Sequence, residues 1–163
     1  MVTHRQTDVV VAGAGMAGLC ASLAALEEHA RVITLEKGPK CGGSMRISGG
    51  LIWTFSNKSQ VREMIPDGNP VLQDLVLDNI GQGLDWLEGH GVALEEEREF
   101  MGHGRGRAAG AAHLAEVLAD RVRALGGEIA PETPLDTLLY EDGAVRGVRT
   151  CGPGGTTDIQ AGA

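Results

Sequence analysis

The chain has 163 residues, about the length of one domain, and 42% of them are hydrophobic and 22% are charged. This composition indicates a globular protein rather than a disordered one. The formal net charge of −8 argues against a nucleic-acid-binding protein, because such proteins present a basic surface. Glycine is frequent, at 25 residues, while aromatic residues make up only 3%, a bias typical of backbone in tight turns or close to a ligand.

The sequence has no strong cysteine, leader or membrane signal. Its three cysteines, Cys20, Cys41 and Cys151, are an odd number, lie far apart and form no CxxC pair. We therefore expect no disulfide framework and no metal site, since no other metal-ligand spacing occurs. The first residues lack the apolar core of a signal peptide, and glycines interrupt the apolar run at residues 9–26. These features predict a soluble, cytoplasmic protein.

The beginning of the chain has the pattern of a strand, a helix and a second strand. DVVVA at residues 8–12 is a β-branched run closed by a glycine turn, and residues 16–28 are rich in alanine and leucine. RVITLE at residues 31–36 is again β-branched and apolar. Two such strands joined by a helix predict a βαβ unit in a parallel sheet. The unbroken apolar first strand fits a position that is covered on both faces.

The middle of the chain predicts a loop-rich segment followed by two helices. Residues 37–70 are rich in loop-forming residues, and Asn69 is a plausible cap for a helix with Pro70 in its first turn. The apolar residues that follow have helical spacing: Leu72, Leu75, Val76, Ile80, Leu84 and Leu87. A second helix is predicted at residues 108–125, ended by Gly126 and Gly127. We interpret the charged run EEERE at residues 95–99 as a solvated face.

The end of the chain predicts a small antiparallel meander. Residues 128–131 form a short strand candidate, and TLLYEDGAVRGVRT predicts two strands joined by a turn at Asp142 and Gly143. The segment GPGG then leads to a third strand, TTDIQ. The fold class expected from these elements is α/β, with the meander appended to the βαβ core.

Gly13, Gly15 and Gly18 form a GxGxxG pattern between the first strand and the first helix. In this context the pattern predicts a dinucleotide site: Gly13 permits the tight turn, Gly15 lets the backbone approach a pyrophosphate, and Gly18 permits close packing. Glu36, at the end of the second strand, is placed to bind a ribose diol and would repel a 2′-phosphate. The pattern allows NAD or FAD and disfavours NADP. The alternative is a glycine turn that binds no ligand.

The segment KCGGSMRISGGLIW, residues 40–53, distinguishes FAD from NAD. It begins four residues after Glu36 and therefore emerges at the carboxyl edge of the sheet, where ligands bind in open α/β folds. Its two glycine pairs let main-chain N–H groups reach a long cofactor beyond the adenosine half. The segment therefore favours FAD.

The run from Val9 to Trp53 resembles the amino-terminal FAD-binding segment of the fumarate reductase/succinate dehydrogenase flavoprotein superfamily. SGGLIW followed by Asn57 is similar to the loop of the 3-ketosteroid dehydrogenases in that superfamily. LDWLEGHGVAL and the segments after it agree as well, so the resemblance covers nearly all of the chain. It implies a Rossmann-like, glutathione-reductase-type FAD-binding core, of which residues 1–163 form the amino-terminal part.

The resemblance also implies a set of cofactor-binding residues. The pyrophosphate would lie against Gly13, Gly15, Ala17 and Gly18. The adenosine would be held by Glu36 and flanked by Lys37, with a backbone contact from Leu135. The pyrophosphate and ribityl chain would be followed by Gly43, Ser44 and Met45, and the isoalloxazine by Ser48, Gly49 and Gly50. No histidine lies between Lys37 and Gly50, so the FAD is expected to be non-covalent.

The activity that the resemblance implies is hydride transfer between flavin and a carbon–carbon bond beside a carbonyl or carboxylate. The substrate would be a small molecule such as a dicarboxylate or a ketosteroid. The catalytic residues of the superfamily lie beyond the point where this chain stops, so none is assigned and a fragment that is inactive alone is expected. A non-catalytic NAD- or FAD-binding module and an inert fragment stay open as alternatives, as does the oligomeric state.

Several other residues have two interpretations each. His103, with Arg105 and Arg107, is either an anion contact or part of a mobile solvated loop, and we favour the loop. His113 is expected to pack beside alanine and leucine, whereas three histidines are expected at the surface: His4, His29 and His90. Cys20 and Trp86 are expected in the core. Nothing in the sequence indicates a lowered pKa for Cys41, and Trp53 is a candidate neighbour of the flavin.

Overall fold

The computed structural model of the chain describes residues 2–100 and 102–163. The chain divides into two compact units. The first unit comprises Met1–Ile47 and Ala115–Ala163, and the second comprises Ser48–Leu114. The predicted dinucleotide turn and the predicted meander both belong to the first unit.

The predicted βαβ unit is present in the first unit. Strand β2 (Val9–Ala12) leads through helix α1 (Met16–Glu27) to strand β3 (Val32–Leu35). Strand β3 lies between β2 and strand β7 (Glu128–Ala130), and both pairings are parallel. All four residues of β3 are buried, because strands lie on both sides of it and helix and sheet lie on its faces. Strand β2 lies at the edge of this sheet.

Helix α1 buries an apolar stripe, and one polar side chain within it has a defined partner. Leu19 and Leu23 are four residues apart and therefore lie on the same face of the helix. Both are fully buried. Ser22 is also fully buried, and its Oγ donates to the carbonyl oxygen of Gly18 at 2.8 Å and lies 2.7 Å from Oγ1 of Thr34. The small hydroxyl residues at this crossing keep α1 close to β3.

The predicted meander is confirmed and gains one strand. Strands β8 (Leu135–Glu141), β9 (Ala144–Gly152) and β10 (Gly155–Gln160) pair antiparallel in sequence order. Strand β1 (Val2–Gln6) pairs parallel with β10 and was not predicted. All five residues of β1 are exposed, so no alternation of apolar and polar residues marks it in the sequence. The meander packs on the parallel sheet through a cluster of four buried residues: Ile33, Leu35, Val148 and Ile159.

The second unit contains a three-stranded antiparallel sheet where loops were predicted. Its order is β4 (Leu51–Phe55), β6 (Gly104–Ala108), β5 (Arg98–Phe100). The prediction of a mobile loop that holds His103, Arg105 and Arg107 is therefore wrong for the two arginines, which lie in β6, the central strand. A Cβ on Gly106 would lie 2.5 Å from the carbonyl oxygen of Ile52 and 2.6 Å from Cβ of Trp53, and one on Gly104 would lie less than 3.0 Å from the carbonyl oxygen of Thr54. These glycines are required because the neighbouring strand β4 leaves no room for a side chain, and they do not mark a loop.

The charged residues next to this sheet have structural partners. Arg107 binds both carboxylate oxygens of Glu88, at 2.7 and 2.8 Å, and also donates to the carbonyl oxygens of Leu94 and Glu95. Arg105 pairs with Glu97 at 3.7 Å. Neither arginine needs an anion to explain its presence, while His103 is exposed beside them.

Three helices lie in or begin in the second unit. Helix α2 (Lys58–Met64) falls in the segment predicted as loop, where Asn57 caps it by accepting the N–H of Gln60 at 2.9 Å. Helix α3 (Pro70–Gly89) begins as predicted, and the side chain of Asn69 accepts the N–H groups of its first turn. Helix α4 (Ala111–Ala124) matches the second predicted helix. The apolar residues early in α3 are exposed, Leu72 by 60%, whereas Leu84 and Leu87 are buried.

Two of the histidine predictions are wrong. His90 is buried and its ring lies 4.2 Å from the ring of Trp86 in an edge-to-face contact. His113 is exposed, because it lies on the side of α4 opposite the buried Leu114, Leu118 and Val122. An alanine-rich helix does not reveal from sequence alone which of its faces is covered.

No helix within residues 2–100 and 102–163 has the length and apolar character needed to cross a membrane. Within the same residues, no group of three or more His, Cys, Asp or Glu side chains is placed to hold a metal ion. All three cysteines are free thiols.

An ion pair at the start of β2 gives a pH-dependent prediction. The carboxylate of Asp8 accepts hydrogen bonds from the guanidinium of Arg31 at 2.7 and 3.0 Å and from the backbone N–H of Arg31 at 2.8 Å. These bonds lower the pKa of Asp8 from 3.8 to about 2. Because the folded pKa lies below the unfolded one, the stabilisation is complete above pH 3.8 and is lost as the pH falls through about 2.

We expect Asp8→Asn to lower the urea midpoint slightly at about pH 6, since the pair is exposed, and to have a much smaller effect at about pH 2. Urea titrations of both proteins across this range, followed by circular dichroism, check it. Asp67→Asn, at an exposed carboxyl, serves as the control. A difference between wild type and Asp8→Asn that does not change with pH would contradict the assignment.

Candidate functional site

The turn after β2 is held in a conformation that favours glycine. Gly13 has φ of +106°, a backbone region that residues with a side chain rarely adopt. Its N–H donates to the carbonyl oxygen of Leu35 at 2.7 Å, which fastens the turn to the end of β3. The chain therefore turns at the carboxyl edge of the sheet and enters α1 directly after the turn.

Gly18 is required by the protein's own packing. A Cβ at this position would lie less than 3.0 Å from the carbonyl oxygen of Gly13 and 3.3 Å from Cγ1 of Val11 in β2. The predicted role of Gly18 in helix–strand packing is supported, and the closest obstacle is the carbonyl group of the glycine turn itself. A side chain here would displace the turn that Gly13 forms.

Gly15 differs from Gly18 because no residue that the structure describes lies close enough to require glycine there. It precedes α1 with φ of −79° and ψ of −173°, values open to any residue. A Cβ there would meet only the carbonyl oxygen of Gly42, at 3.9 Å. The open space lies at the N-terminus of a 12-residue helix, where free N–H groups and the helix dipole favour an anion. The neighbouring Ala17 is exposed.

Glu36 is buried at the edge of this space, with 7% of its surface exposed. Its Oε2 accepts the N–H of Ala14 at 3.0 Å, and its Oε1 accepts the N–H of Gly38 at 2.8 Å. The sequence predicted the position of this acid at the end of β3 but not these two contacts. The contact with Ala14 joins residues 22 positions apart, so only the fold brings them together.

Gly42 and Gly43, the first glycine pair of residues 40–53, lie against the turn formed by residues 13–15. The N–H of Gly42 donates to the carbonyl oxygen of Ala14 at 2.6 Å, and a Cβ on Gly42 would lie 2.8 Å from that of Ala115. Gly43, at the start of a short 3-10 helix (Gly43–Ile47), has φ of +49°. A Cβ on Gly43 would lie 4.0 Å from Cα of Gly15. Sequence reasoning did not single out Gly42.

These elements surround a cavity of about 390 Å³. Six of the residues predicted from the resemblance line it: Gly13, Gly15, Glu36, Lys37, Gly43 and Leu135. Four lining residues were not predicted: Ala12, Leu35, Thr133 and Pro134. Thr133 and Pro134 follow β7 at the carboxyl edge of the parallel sheet, which is the signal that could have identified them. The other predicted residues of the first unit, Ala17, Gly18, Ser44 and Met45, are not among those that line the cavity.

The predicted isoalloxazine residues belong to the second unit. Gly50 has φ of +68°, and a Cβ there would lie less than 3.0 Å from the carbonyl oxygen of Ala109. Its N–H donates to Oγ of Ser48 at 3.1 Å, and its carbonyl oxygen accepts the N–H of Ala109 at 2.9 Å. Gly49 has open space around it. The glycine at position 50 is therefore explained by the fold of this unit, and its contact with flavin stays a prediction.

Cys20 and Cys41 have raised pKa values, and Trp53 lies in an aromatic cluster of the second unit. Burial raises the pKa of Cys20. Burial also raises the pKa of Cys41, while the charge of Arg123 acts in the opposite direction. Trp53 packs against Phe55 and Phe100, with ring centroids at 5.3 and 5.8 Å, and lines an apolar cavity of about 340 Å³ in the second unit.

Comparison with known families agrees with this geometry. Residues 8–163 match the family described as the FAD binding domain. The chain belongs to this family. The match begins at Asp8, directly before β2, and takes in the glycine turn, Glu36 and the meander. FAD is therefore the dinucleotide of the family to which this chain belongs.

Individual relatives are longer than this FAD-binding chain. It is 30% identical over 169 residues to the vinyl phenol reductase of Lactiplantibacillus plantarum, matching 91% of this chain and 34% of that protein. It is 27% identical to the fumarate reductase (cytochrome) of Shewanella frigidimarina, over 89% of this chain and 30% of that protein. The chain spans about a third of the length of these two relatives.

A solved structure shows the same fold. The 3-ketosteroid-Δ4-(5α)-dehydrogenase of Rhodococcus jostii RHA1 superposes with a TM-score of 0.84 at 20% identity, covering 97% of this FAD-binding chain and 44% of that one. The predicted fold class is therefore confirmed: an α/β FAD-binding core with a parallel sheet and an antiparallel meander.

The residues of the first unit fit FAD. Gly15 leaves open backbone at the N-terminus of α1, which suits a pyrophosphate. Glu36 uses one lone-pair site on each carboxylate oxygen for Ala14 and Gly38, and a carboxylate has about four such sites. Acceptor capacity therefore stays available for two ribose hydroxyl groups.

Proposed function

We propose that residues 1–163 are the amino-terminal part of the FAD-binding domain of a flavin-dependent oxidoreductase. The observation that supports it most is the open backbone at Gly15 beside the buried carboxylate of Glu36. A glycine that the fold does not require, at a helix N-terminus and next to a ribose-binding acid, is what a dinucleotide site needs. The reductase activities named for relatives, vinyl phenol reductase and fumarate reductase, support the redox role.

Each part of the site has a proposed role toward the cofactor. N–H groups at the start of α1 bind the pyrophosphate between Gly15 and Gly43, and Glu36 accepts the ribose hydroxyls. Lys37 is exposed beside the adenosine, and Leu135 lines the same cavity. Ser44 and Met45 follow the pyrophosphate and ribityl chain, and Ser48, Gly49 and Gly50 follow the isoalloxazine.

Bound FAD supplies hydride chemistry that no side chain provides. This chain holds and orients it without a covalent bond, since no histidine occurs between Lys37 and Gly50. The proposed substrates are small molecules with a carbon–carbon bond beside a carbonyl or carboxylate group, and no residue of this chain is assigned a proton-transfer role. Three free thiols support a reducing, cytoplasmic setting.

The direct test is to refold the chain with FAD, remove free flavin on a desalting column and record the visible spectrum. The expected result is a flavin spectrum that coelutes with the protein and is released intact by denaturation, as non-covalent binding requires. Retention of NAD but not FAD would support the non-catalytic NAD-binding alternative. A folded chain that retains neither dinucleotide would overturn the proposal.

A substitution at Gly15 tests whether the site is where we place it. We expect Gly15→Ala to keep the stability of the wild type, because its backbone angles are ordinary and its nearest neighbour is 3.9 Å away. We expect it to weaken FAD binding about tenfold or more, since a methyl group would occupy the space next to the pyrophosphate. Flavin fluorescence titration measures the affinity and urea unfolding measures the stability.

The matched control for Gly15 is Gly154→Ala, because Gly154 is exposed, has open space around it and lies in the turn before β10. It should change neither quantity. Equal FAD affinity in Gly15→Ala and wild type would place the pyrophosphate elsewhere.

A further inference from the structure

We propose that Glu36 also acts as a positioning residue, which holds the glycine turn in its binding geometry before any cofactor is present. This inference deepens the proposed function and rests on it for the ribose contact. Glu36 would then contribute to affinity in two ways: directly through ribose, and indirectly through the backbone that receives the pyrophosphate.

The first observation is that both carboxylate oxygens of Glu36 already bind backbone. Oε2 accepts the N–H of Ala14 and Oε1 accepts the N–H of Gly38. Ala14 lies between the two glycines of the turn and is fully buried. Removing a charged acceptor from a buried N–H costs more free energy than losing an exposed hydrogen bond, because the buried N–H cannot form a hydrogen bond with water instead.

The second observation is that the peptide groups of Ala14 are held from both sides. Its N–H is bound by Glu36, and its carbonyl oxygen accepts the N–H of Gly42 at 2.6 Å. The Glu36 side chain is thus linked through Ala14 to the start of the segment that contains Gly43. Loss of the carboxylate would loosen two backbone segments of the cavity together.

The third observation is that the Glu36 backbone is itself anchored. Its N–H donates to the carbonyl oxygen of Ala130 at 2.9 Å, and its carbonyl oxygen accepts the N–H of Thr133 at 2.8 Å. The carboxylate therefore extends from a fixed point at the end of the parallel sheet. A group anchored in this way can hold the turn, since its own position does not depend on a ligand.

The experiment compares ADP with 2′,3′-dideoxy-ADP, which lacks both ribose hydroxyl groups that Glu36 would bind. Affinities of the 163-residue chain and of Glu36→Gln are measured by isothermal calorimetry. We expect Glu36→Gln to weaken binding of 2′,3′-dideoxy-ADP by about tenfold. The NH2 group of the glutamine would replace one carboxylate oxygen, so one of the two backbone N–H groups would lose its acceptor. Unchanged affinity for 2′,3′-dideoxy-ADP would show that Glu36 contributes to affinity only through the ribose hydroxyl groups, and would overturn the inference.

A ligand-free readout keeps this inference separate from the proposed function. In the wild type without nucleotide, hydrogen exchange at the amides of Ala14 and Gly38 should be slow. In Glu36→Gln the amide that faces the NH2 group of glutamine should exchange about tenfold faster, while the other keeps an acceptor. Equal exchange in the two proteins would overturn the positioning role. Failure of the wild type to bind ADP would count against the proposed function alone.

Two further variants guard against a general loss of structure. Glu36→Asp keeps the charge but is one methylene shorter, so we expect it to protect only one of the two amides. Lys40→Gln, at an exposed position that does not line this cavity, should leave exchange at Ala14 unchanged. Uniformly faster exchange across all of α1 and β3 in Glu36→Asp would indicate global destabilisation and would count against a local positioning role.

Discussion

The substitution Gly18→Ala is expected to abolish FAD retention by this chain. A Cβ at position 18 would lie less than 3.0 Å from the carbonyl oxygen of Gly13, and that oxygen belongs to backbone that cannot move alone. Overpacking of this kind costs about 1–3 kcal/mol, and relief requires the turn at Gly13 to shift. The shift would displace the N–H groups at the start of α1 that face the pyrophosphate.

Retention of flavin after desalting measures the effect of Gly18→Ala on binding, and thermal unfolding followed by circular dichroism measures its effect on stability. The matched control is Gly81→Ala, at an exposed glycine in helix α3 with open space around it. Alanine is favoured over glycine in a helix interior by about 0.5–1 kcal/mol, so this control should be slightly stabilised. Full flavin retention by Gly18→Ala would contradict the packing that we describe.

The substitution Gly50→Ala is expected to destabilise the second unit by about 2 kcal/mol or more. Its φ of +68° costs an alanine about 1–2 kcal/mol. A Cβ there would also lie less than 3.0 Å from the carbonyl oxygen of Ala109, which adds an overpacking cost. The hydrogen bond between Ala109 and Gly50 would have to lengthen to admit the methyl group.

Tryptophan fluorescence reports on this unit, because both tryptophans of the chain, Trp53 and Trp86, lie within Ser48–Leu114. The urea midpoint measured from it should fall in Gly50→Ala. The control is Gly49→Ala at the preceding residue, which is exposed and where an added Cβ would have no neighbour within 4 Å. Equal midpoints for Gly50→Ala and Gly49→Ala would show that position 50 is glycine for another reason, such as contact with flavin.

The elements that could be predicted are those with a local signal. The βαβ unit combines two β-branched runs with a glycine turn, and helix α3 has a cap at Asn69 and a proline at its first position. Strand β6 could not be predicted, because Gly104 and Gly106 resemble a loop and only the pairing of β6 with β4 and β5 shows that they lie in a strand. Strand β1 has no apolar face, and only its pairing with β10 makes it a strand.

The site divides in a similar way. A local signal, the fixed spacing between a strand, a turn and a helix, predicts the placement of Gly13, Gly15 and Glu36 around one cavity at the edge of the sheet. Their contact with FAD stays a prediction. The contacts of Glu36 with Ala14 and Gly38, and of Gly42 with Ala14, were not predicted. They depend on where backbone N–H and carbonyl groups meet in space. Every residue type except proline carries both groups, so the sequence does not mark these contacts.

By itself, the sequence determined the dinucleotide fold and the cofactor class, because glycine spacing and a terminal acid are local features with a direct physical purpose. Only the tertiary structure separated two kinds of glycine. At Gly18, Gly50, Gly104 and Gly106 an added Cβ would lie less than 3.0 Å from a backbone carbonyl oxygen, whereas Gly15 alone among these five has open space before it. The difference is the distance from a Cβ added at each glycine to the nearest atoms. The fold determines that distance, and the residue type does not reveal it.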